Sequence, residues 1–221
     1  MKLSARLVGI TQPTIELLEA SPEGLVAYCA RVSNPQHQDK ELGSLLSYCI
    51  RNKHWSIFEM VNAVVEVQAP RDITRQLLRH RSFSFQEFSQ RYSDEVEFTD
   101  RDFRRQDDKN RQNSIDDLGE YVQKEINIDV EALLKEVSAI YKAMRSPGVN
   151  VAKECARVIL PEGLTMSRLY VNGTLRSWLH YLDVRDDPGV TQHEHVLLAR
   201  EIRSVIEPAF PSVFGALNAR Q

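Results

Sequence analysis

Apolar positions along the chain change period several times, and each change marks an element. Residues 3–11 alternate, with Leu3, Ala5 and Leu7 set against Ser4 and Arg6, which predicts a first strand. Ser21-Pro22-Glu23 supplies a cap and then a first-turn proline for a helix through Ala30. Leu42, Leu45, Leu46, Cys49 and Ile50 recur at helical spacing and give a second helix. The run Val61-Asn62-Ala63-Val64-Val65-Glu66-Val67 is β-branched and predicts a buried strand. Pro70 opens a short helix over 71–80, and 87–98 reads as extended. Residues 99–114 are dense in Arg, Asp, Gln and Asn, which predicts a solvated or mobile loop.

From 116 to 144 the pattern is mostly helical, with Val130, Leu133, Leu134, Val137, Ile140, Tyr141 and Met144 on one stripe, until Ser146-Pro147-Gly148 stops it. A further helix spans 151–160 and ends at Pro161. Residues 165–171 predict a strand, 174–184 a helix, and 194–206 a last helix before Pro208 and Pro211. Helices outweigh strands and do not alternate with them regularly. The expected class is therefore α+β, a mainly antiparallel sheet with helices packed around it.

A length of 221 residues suits one domain over 1–221. The 28 Lys and Arg against 31 Asp and Glu leave a net charge of −3, which argues against a dedicated nucleic-acid binder. No apolar stretch approaches the roughly 18 residues that span a bilayer, and Met1-Lys2-Leu3-Ser4-Ala5-Arg6 leads into no signal-peptide region. Cys29, Cys49 and Cys155 show no CxxC spacing, so neither a disulfide framework nor a zinc knuckle is expected. A cytoplasmic protein without a membrane partner follows. His193-x-His195 points only weakly to metal, because Glu194 lies between and no third ligand is near; it reads as the start of a surface helix, and no metal site is expected.

Residues 71–91 concentrate the chemistry. Arg71, Arg75 and Arg79 fall four apart on one helical stripe, Ile73 and Leu77 on another. Arg79-His80-Arg81 cannot face one way on a helix, where neighbours point some 100° apart. The triplet makes sense at a helix end, where guanidinium groups can surround a planar or anionic ligand. If 87–92 is extended, Glu87, Ser89 and Arg91 share one face and Phe88, Gln90 and Tyr92 the other. Such a face can bond a ribose and hold a phosphate. A solvated charged strand with its aromatic side in the core has the same pattern, and spacing alone leaves both open.

Arg79-His80-Arg81, seven residues, then Ser89-x-Arg91 resembles the RHR-x7-S-x-R signature of flavin-dependent thymidylate synthases. His54-Trp55-Ser56-Ile57-Phe58-Glu59, Glu154-Cys155-Ala156-Arg157 with Leu160-Pro161, and Arg176-x3-His180-x4-Arg185 are similar to that family as well. The resemblance covers most of the chain, least distinctively at 99–114 and the start of the long helix. It implies reductive methylation of dUMP to dTMP, with 5,10-methylenetetrahydrofolate as carbon donor, FAD as redox carrier and NADPH as reductant, releasing tetrahydrofolate. It also implies a homotetramer whose sites are shared between subunits. Under it, Gln76, Leu77, Leu78, Arg79, Glu87, Phe88, Ser89, Gln90, Arg91, Arg157 and Arg185 bind dUMP. His54, Ser56, Arg79, His80, Arg81, Glu87, Thr174, Leu175, Arg176 and His180 bind FAD.

Arg185 matches the family's catalytic arginine. A guanidinium, with a pKa above about 12, is no proton acceptor, so its role is to stabilise charge on the pyrimidine N3/O4 edge as C5 becomes nucleophilic. Arg157 is a nucleotide contact by resemblance, while its spacing also allows an ion pair with Glu154. The stretch Asn172-Gly173-Thr174-Leu175-Arg176 reads as a turn in which Asn172 or Thr174 caps the next helix, with Arg176 and His180 on a face apart from Leu175, Leu179 and Leu182. None of the three cysteines has an adjacent base, so they read as structural thiols rather than nucleophiles. No G-x-G-x-x-G turn is present to hold a dinucleotide. The alternative reading is a non-catalytic nucleotide or RNA-binding module that uses the basic 71–91 segment, with Phe83, Phe85 and Phe88 for stacking. A metal phosphohydrolase would need a His/Asp cluster that the sequence does not display.

Overall fold

The most β-branched run of the chain lies at the centre of the sheet, bonded on both sides. In the computed structural model, which describes residues 1–219, strand β2 (Asn62–Pro70) lies between β1 (Ser4–Ile10) and β6 (Met166–Thr174). Ala63, Val65, Val67 and Ala69 are fully buried, as a strand covered by neighbours and helices requires. β2 and β6 pair antiparallel along nine residues, from Asn62 opposite Thr174 to Pro70 opposite Met166. β3 (Ser84–Glu87) adds to the other edge of β6, so the order is β1-β2-β6-β3. β4 (Arg105–Gln106) and β5 (Ser114–Ile115) form a separate small hairpin.

On β6, Leu169, Val171 and Gly173 face the core while Arg168, Tyr170 and Asn172 face outward, so only one face of the sheet is apolar. Helices cover that face. α1 (Pro22–Ala30) starts where predicted, with the Ser21 hydroxyl accepting from the Gly24 N–H at 3.0 Å. α2 (Leu45–Arg51) and α3 (Arg71–Leu77) follow, and α6 (Leu175–Arg185) continues directly from β6. α7 (His193–Ile206) lies against β1 and β2. Within this one core the Trp178 indole N–H donates to the Ala63 carbonyl at 3.1 Å.

Several expectations are corrected. The extended segment is 84–87 rather than 87–98: pairing with β6 stops at Glu87, and the chain then turns, the Tyr92 N–H bonding the Ser89 carbonyl at 3.0 Å. Glu87, Ser89 and Arg91 therefore share no strand face. The helix at 71–80 stops at Leu77. Residues 99–114 are not a free loop: Phe98 bridges Thr165, the Thr99 N–H bonds the Leu164 carbonyl, and Arg101 reaches Asp72 at 2.7 Å. Asn172-Gly173 belongs to β6, not to a turn. The helix at 151–160 is α5 (Lys153–Ala156) followed by a 3-10 turn, Arg157–Ile159. A final helix, α8 (Pro211–Asn218), begins at the proline read as a terminator; buried Glu23, from α1, accepts its Val213 N–H at 2.9 Å.

The long helix is α4 (Glu120–Arg145), 26 residues and therefore about 39 Å at 1.5 Å per residue. Of its apolar stripe only Tyr141 is buried; Leu133 and Ile140 remain 49% and 45% exposed.

Gly173 lets the Phe83 ring lie directly on β6, since a Cβ there would stand 2.2 Å from the ring. The substitution Gly173→Ala is expected to displace Phe83, which packs 4.4 Å from Trp178 between ring centroids, and to cost about 1–3 kcal/mol in urea unfolding. Gly215→Ala, in α8 with nothing within 4 Å of a new Cβ, should be neutral or stabilising by up to about 1 kcal/mol. Equal effects from both would refute the packing argument.

Candidate active site

The Arg79-His80-Arg81 triplet emerges where α3 has just ended, with the Arg79 and His80 N–H groups bonding the carbonyls of Gln76 and Leu77. Arg79 and Arg81 are exposed, whereas His80 turns inward, edge-on to Tyr181 with ring centroids 5.1 Å apart. Its Nε2 accepts the Arg185 Nε–H at 2.9 Å, joining residues 105 positions apart. Burial, then the charge of Arg185 and of His180, lowers the His80 pKa from 6.5 to about 4. The imidazole is therefore neutral at pH 7 and carries its proton on Nδ1, leaving the Nε2 lone pair to aim the half-buried Arg185 guanidinium.

Behind this pair lies a polar chain that sequence reasoning did not find. α7 does begin at exposed His193, as the sequence suggests, but His195 in its first turn is fully buried. It lies 3.1 Å from the Tyr181 hydroxyl and 3.2 Å from the Gln76 carboxamide oxygen, and burial lowers its pKa to about 3. The signal was present: His195 shares the apolar stripe of Leu198, Ala199, Ile202 and Ile206. No comparable signal marks Glu194, 2% exposed, or its partners Arg101 and Arg104.

The second half of the signature meets another motif. Glu87 accepts from the Ser167 hydroxyl at 2.9 Å and lies 3.5 Å from Arg71. The Phe88 N–H bonds the Arg168 carbonyl, Gln90 is buried, and the Ser89 hydroxyl accepts from the Arg91 N–H at 3.3 Å. Arg91 pairs with Glu154 at 3.5 Å, and Lys153 donates to the Tyr92 carbonyl. Glu154 is thus engaged by Arg91 and not by Arg157, which lies half-buried in its 3-10 turn. Cys49 is buried, which raises its thiol pKa, while Cys155 is exposed on α5.

A third patch gathers residues read as flavin ligands. His54 and Ser56 are exposed at the 3-10 turn Trp55–Glu59, and Glu59 pairs with Arg176 at 2.5 Å. Thr174 is the cap of α6, accepting from the Ser177 N–H at 3.2 Å, whereas Asn172 lies within β6. Arg176 and His180 lie on the exposed face of α6. Leu77 and Leu175 are core residues, Leu78 is partly buried, and the Leu175 N–H is already bonded to the Val61 carbonyl. The structure so brings together Gln76, His80 and Arg185 in one cluster, Ser89, Arg91 and Glu154 in another, and Glu59 with Arg176 in a third. A cleft of about 220 Å³ lies elsewhere, between α4 and residues 94–98. Among the described residues no three His, Cys, Asp or Glu side chains are placed to hold a metal ion.

A histidine with a depressed folded pKa contributes its full stability above 6.5 and loses it as pH falls toward about 4. The thermal midpoint should therefore drop between those pH values. His80→Gln, whose carboxamide can accept from Arg185 but cannot titrate, should show a shallower drop. Identical pH profiles would show that His80 is not held neutral.

A family model described as thymidylate synthase complementing protein matches residues 16–212. A flavin-dependent thymidylate synthase of Synechocystis sp. is 46% identical over 98% of this chain and 100% of its own length. A probable flavin-dependent thymidylate synthase of Paramecium bursaria Chlorella virus 1 is 44% identical over 98% and 99%. Among solved structures, a UMP/dUMP methylase from Streptomyces cacaoi, bound with 5-Br UMP, superposes with a TM-score of 0.81 at 25% identity, covering 99% of this chain and 94% of that one. Matched by the family model over most of its length and by two relatives end to end, the chain belongs to the flavin-dependent thymidylate synthases.

Proposed function

We propose that the chain catalyses the reductive methylation of dUMP to dTMP, with FAD as cofactor, NADPH as reductant and 5,10-methylenetetrahydrofolate as carbon donor. The observation that carries this reading is the 2.9 Å bond between His80 of the signature and Arg185 of the distant Arg176-x3-His180-x4-Arg185 motif. The exposed donors suit an anionic, planar cofactor: Arg79 and Arg81 at the end of α3, with His54, Ser56, Arg176 and His180 on the third patch. When bound, FAD supplies the redox chemistry of the reaction.

Arg185 places a permanent positive charge where negative charge develops on the pyrimidine N3/O4 edge, and His80 fixes its direction beforehand. Ser89 and Arg91 supply a hydroxyl and a guanidinium to the phosphate, with Arg157 adding a second guanidinium. Gln76 offers a carboxamide to the base. No thiolate is required, which agrees with a buried Cys49 whose proton is hard to remove.

The active form is a homotetramer in this reading. The site residues lie on separate patches of one chain, and α4 leaves Leu133 and Ile140 about half exposed, which a second subunit would cover. No helix among the described residues is long and apolar enough to cross a membrane, which together with the free thiols supports a cytoplasmic location. A net charge of −3 disfavours the RNA-binding alternative.

The purified protein should be yellow and should form dTMP. Arg185→Ala should keep its bound flavin while methyl transfer falls by roughly 10²–10³-fold, and Arg185→Lys should recover little, because an ammonium cannot reproduce a planar two-point contact. Arg81→Ala should lose flavin absorbance first. Near-normal turnover in Arg185→Ala, or failure only through lost flavin, would refute the assigned role. Leu133→Glu with Ile140→Glu should lower the mass seen by light scattering below that of a tetramer and reduce bound flavin; an active, flavin-replete monomer would overturn the shared-site reading.

A further inference from the structure

The polar chain through Gln76 runs from buried Glu194 by way of solvent-exposed Gln192 to partly buried Gln76 and buried His195, and its direction is imposed from the Glu194 end. Glu194 is a buried carboxylate whose burial opposes its charge, but the bond from Arg104, with bonds from its own backbone and from Gln192, outweighs that and holds its carboxyl below the usual range. Arg101 stands 3.9 Å away and is itself anchored on Asp72. An ionised carboxylate only accepts hydrogen bonds. Gln192 must therefore turn its Nε2 toward Glu194, at 2.9 Å, which leaves Oε1 for its other neighbour. Gln76 then has to donate from its own Nε2 to that Oε1, at 2.7 Å, and presents its Oε1 to His195 Nδ1. A neutral imidazole has a single N–H, so His195 carries it on Nδ1 and accepts the Tyr181 hydroxyl proton at Nε2.

We infer that His195 and Glu194 are positioning residues that clamp the Gln76 carboxamide in one orientation and thereby make the site select uracil over cytosine. The inference rests on the reading of Gln76 as a ligand of the nucleotide base. A carboxamide has two acceptor lone pairs and two donor hydrogens, and the chain uses one of each. The remaining pair matches uracil's N3–H donor and one lone pair of its C4 carbonyl, whose other lone pair stays open to the Arg185 guanidinium. Cytosine reverses that order, with an acceptor at N3 and an amino group at C4. A carboxamide free to flip by 180° serves either base, whereas a clamped one leaves cytosine's groups facing their own kind. The selectivity thus comes from residues that need not touch the nucleotide.

The test measures the dissociation constants of dUMP and dCMP on the flavin-loaded enzyme by calorimetry. Glu194→Gln replaces the acceptor-only end at nearly constant volume and should narrow the dCMP/dUMP ratio by about tenfold or more. His195→Leu should do the same, while His195→Asn, whose amide N–H can replace Nδ1–H, should retain most of the preference. Tyr181→Phe leaves the Nδ1–H bond to Gln76 in place and should keep the ratio. In the wild type, nitrogen NMR should find His195 protonated on Nδ1 and bare on Nε2. Gln76→Ala separates the two levels of the argument: an unchanged ratio there defeats the reading of Gln76 as a base ligand. A narrowed ratio in Gln76→Ala with an unchanged one in both Glu194→Gln and His195→Leu defeats the clamp alone. Where His195→Leu does not fold, Glu194→Gln decides by itself.

Discussion

The nine-residue antiparallel pairing of β2 with β6 is the constraint on which the site depends. α3 leaves the sheet after Pro70, at one end of that pair, and α6 leaves after Thr174, at the opposite end. At 1.5 Å per residue the two helices are about 10 and 16 Å long, together close to the roughly 30 Å of a nine-residue strand. Just past the end of α3 and at the last residue of α6, His80 and Arg185 meet in a hydrogen bond. The pairing thus fixes where the two helices that carry His80 and Arg185 leave the sheet.

A second constraint is the buried charge of Glu194. Removing a carboxylate from water is costly unless cations and hydrogen bonds surround it. Arg104 and Arg101 meet that need, and in doing so they hold the polar 99–114 segment against the body of the protein. Arg101 also bonds Asp72 and the Gly163 carbonyl, so the same strap secures the first turn of α3. One buried carboxylate thus fixes a loop, a helix start and, through Gln192, the Gln76 side chain. Electrostatics here organises the structure around the site more than it adds to global stability.

The distribution of the remaining candidates follows from the fold class. An antiparallel sheet covered on one face leaves its strand ends and edge loops as the places where polar side chains can gather. Ser89, Arg91 and Glu154 occupy such an edge, beyond the last residue of β3, while His54, Ser56 and Arg176 lie near the Thr174 end of β6. The α4 stripe is only partly covered within the chain: Tyr141 is buried, while Leu133 and Ile140 remain about half exposed along a helix of about 39 Å.

The sequence by itself determined what depends on local period and on motif. The β-branched run at 61–67 reads as a buried strand, Ser21 and Pro22 as the opening of a helix, and the stripe from Val130 to Met144 as helical, because each pattern describes which side of an element is apolar. The RHR-x7-S-x-R spacing likewise identified the family before any coordinates. Tertiary structure alone decided which partners those elements meet. β3 begins at Ser84 because β6 offers an edge there, and Asn172-Gly173 is strand because β2 extends opposite it. Pro211 opens a helix because Glu23, almost the whole chain away, receives its amide protons. Arg91 takes Glu154 from Arg157, and buried His195 takes Tyr181 and Gln76 as its partners. These are choices among polar partners tens to hundreds of residues apart. Periodicity carries no information about them, because hydrogen bonds and charges are decided by distances of about 3 Å that exist only after the chain has folded.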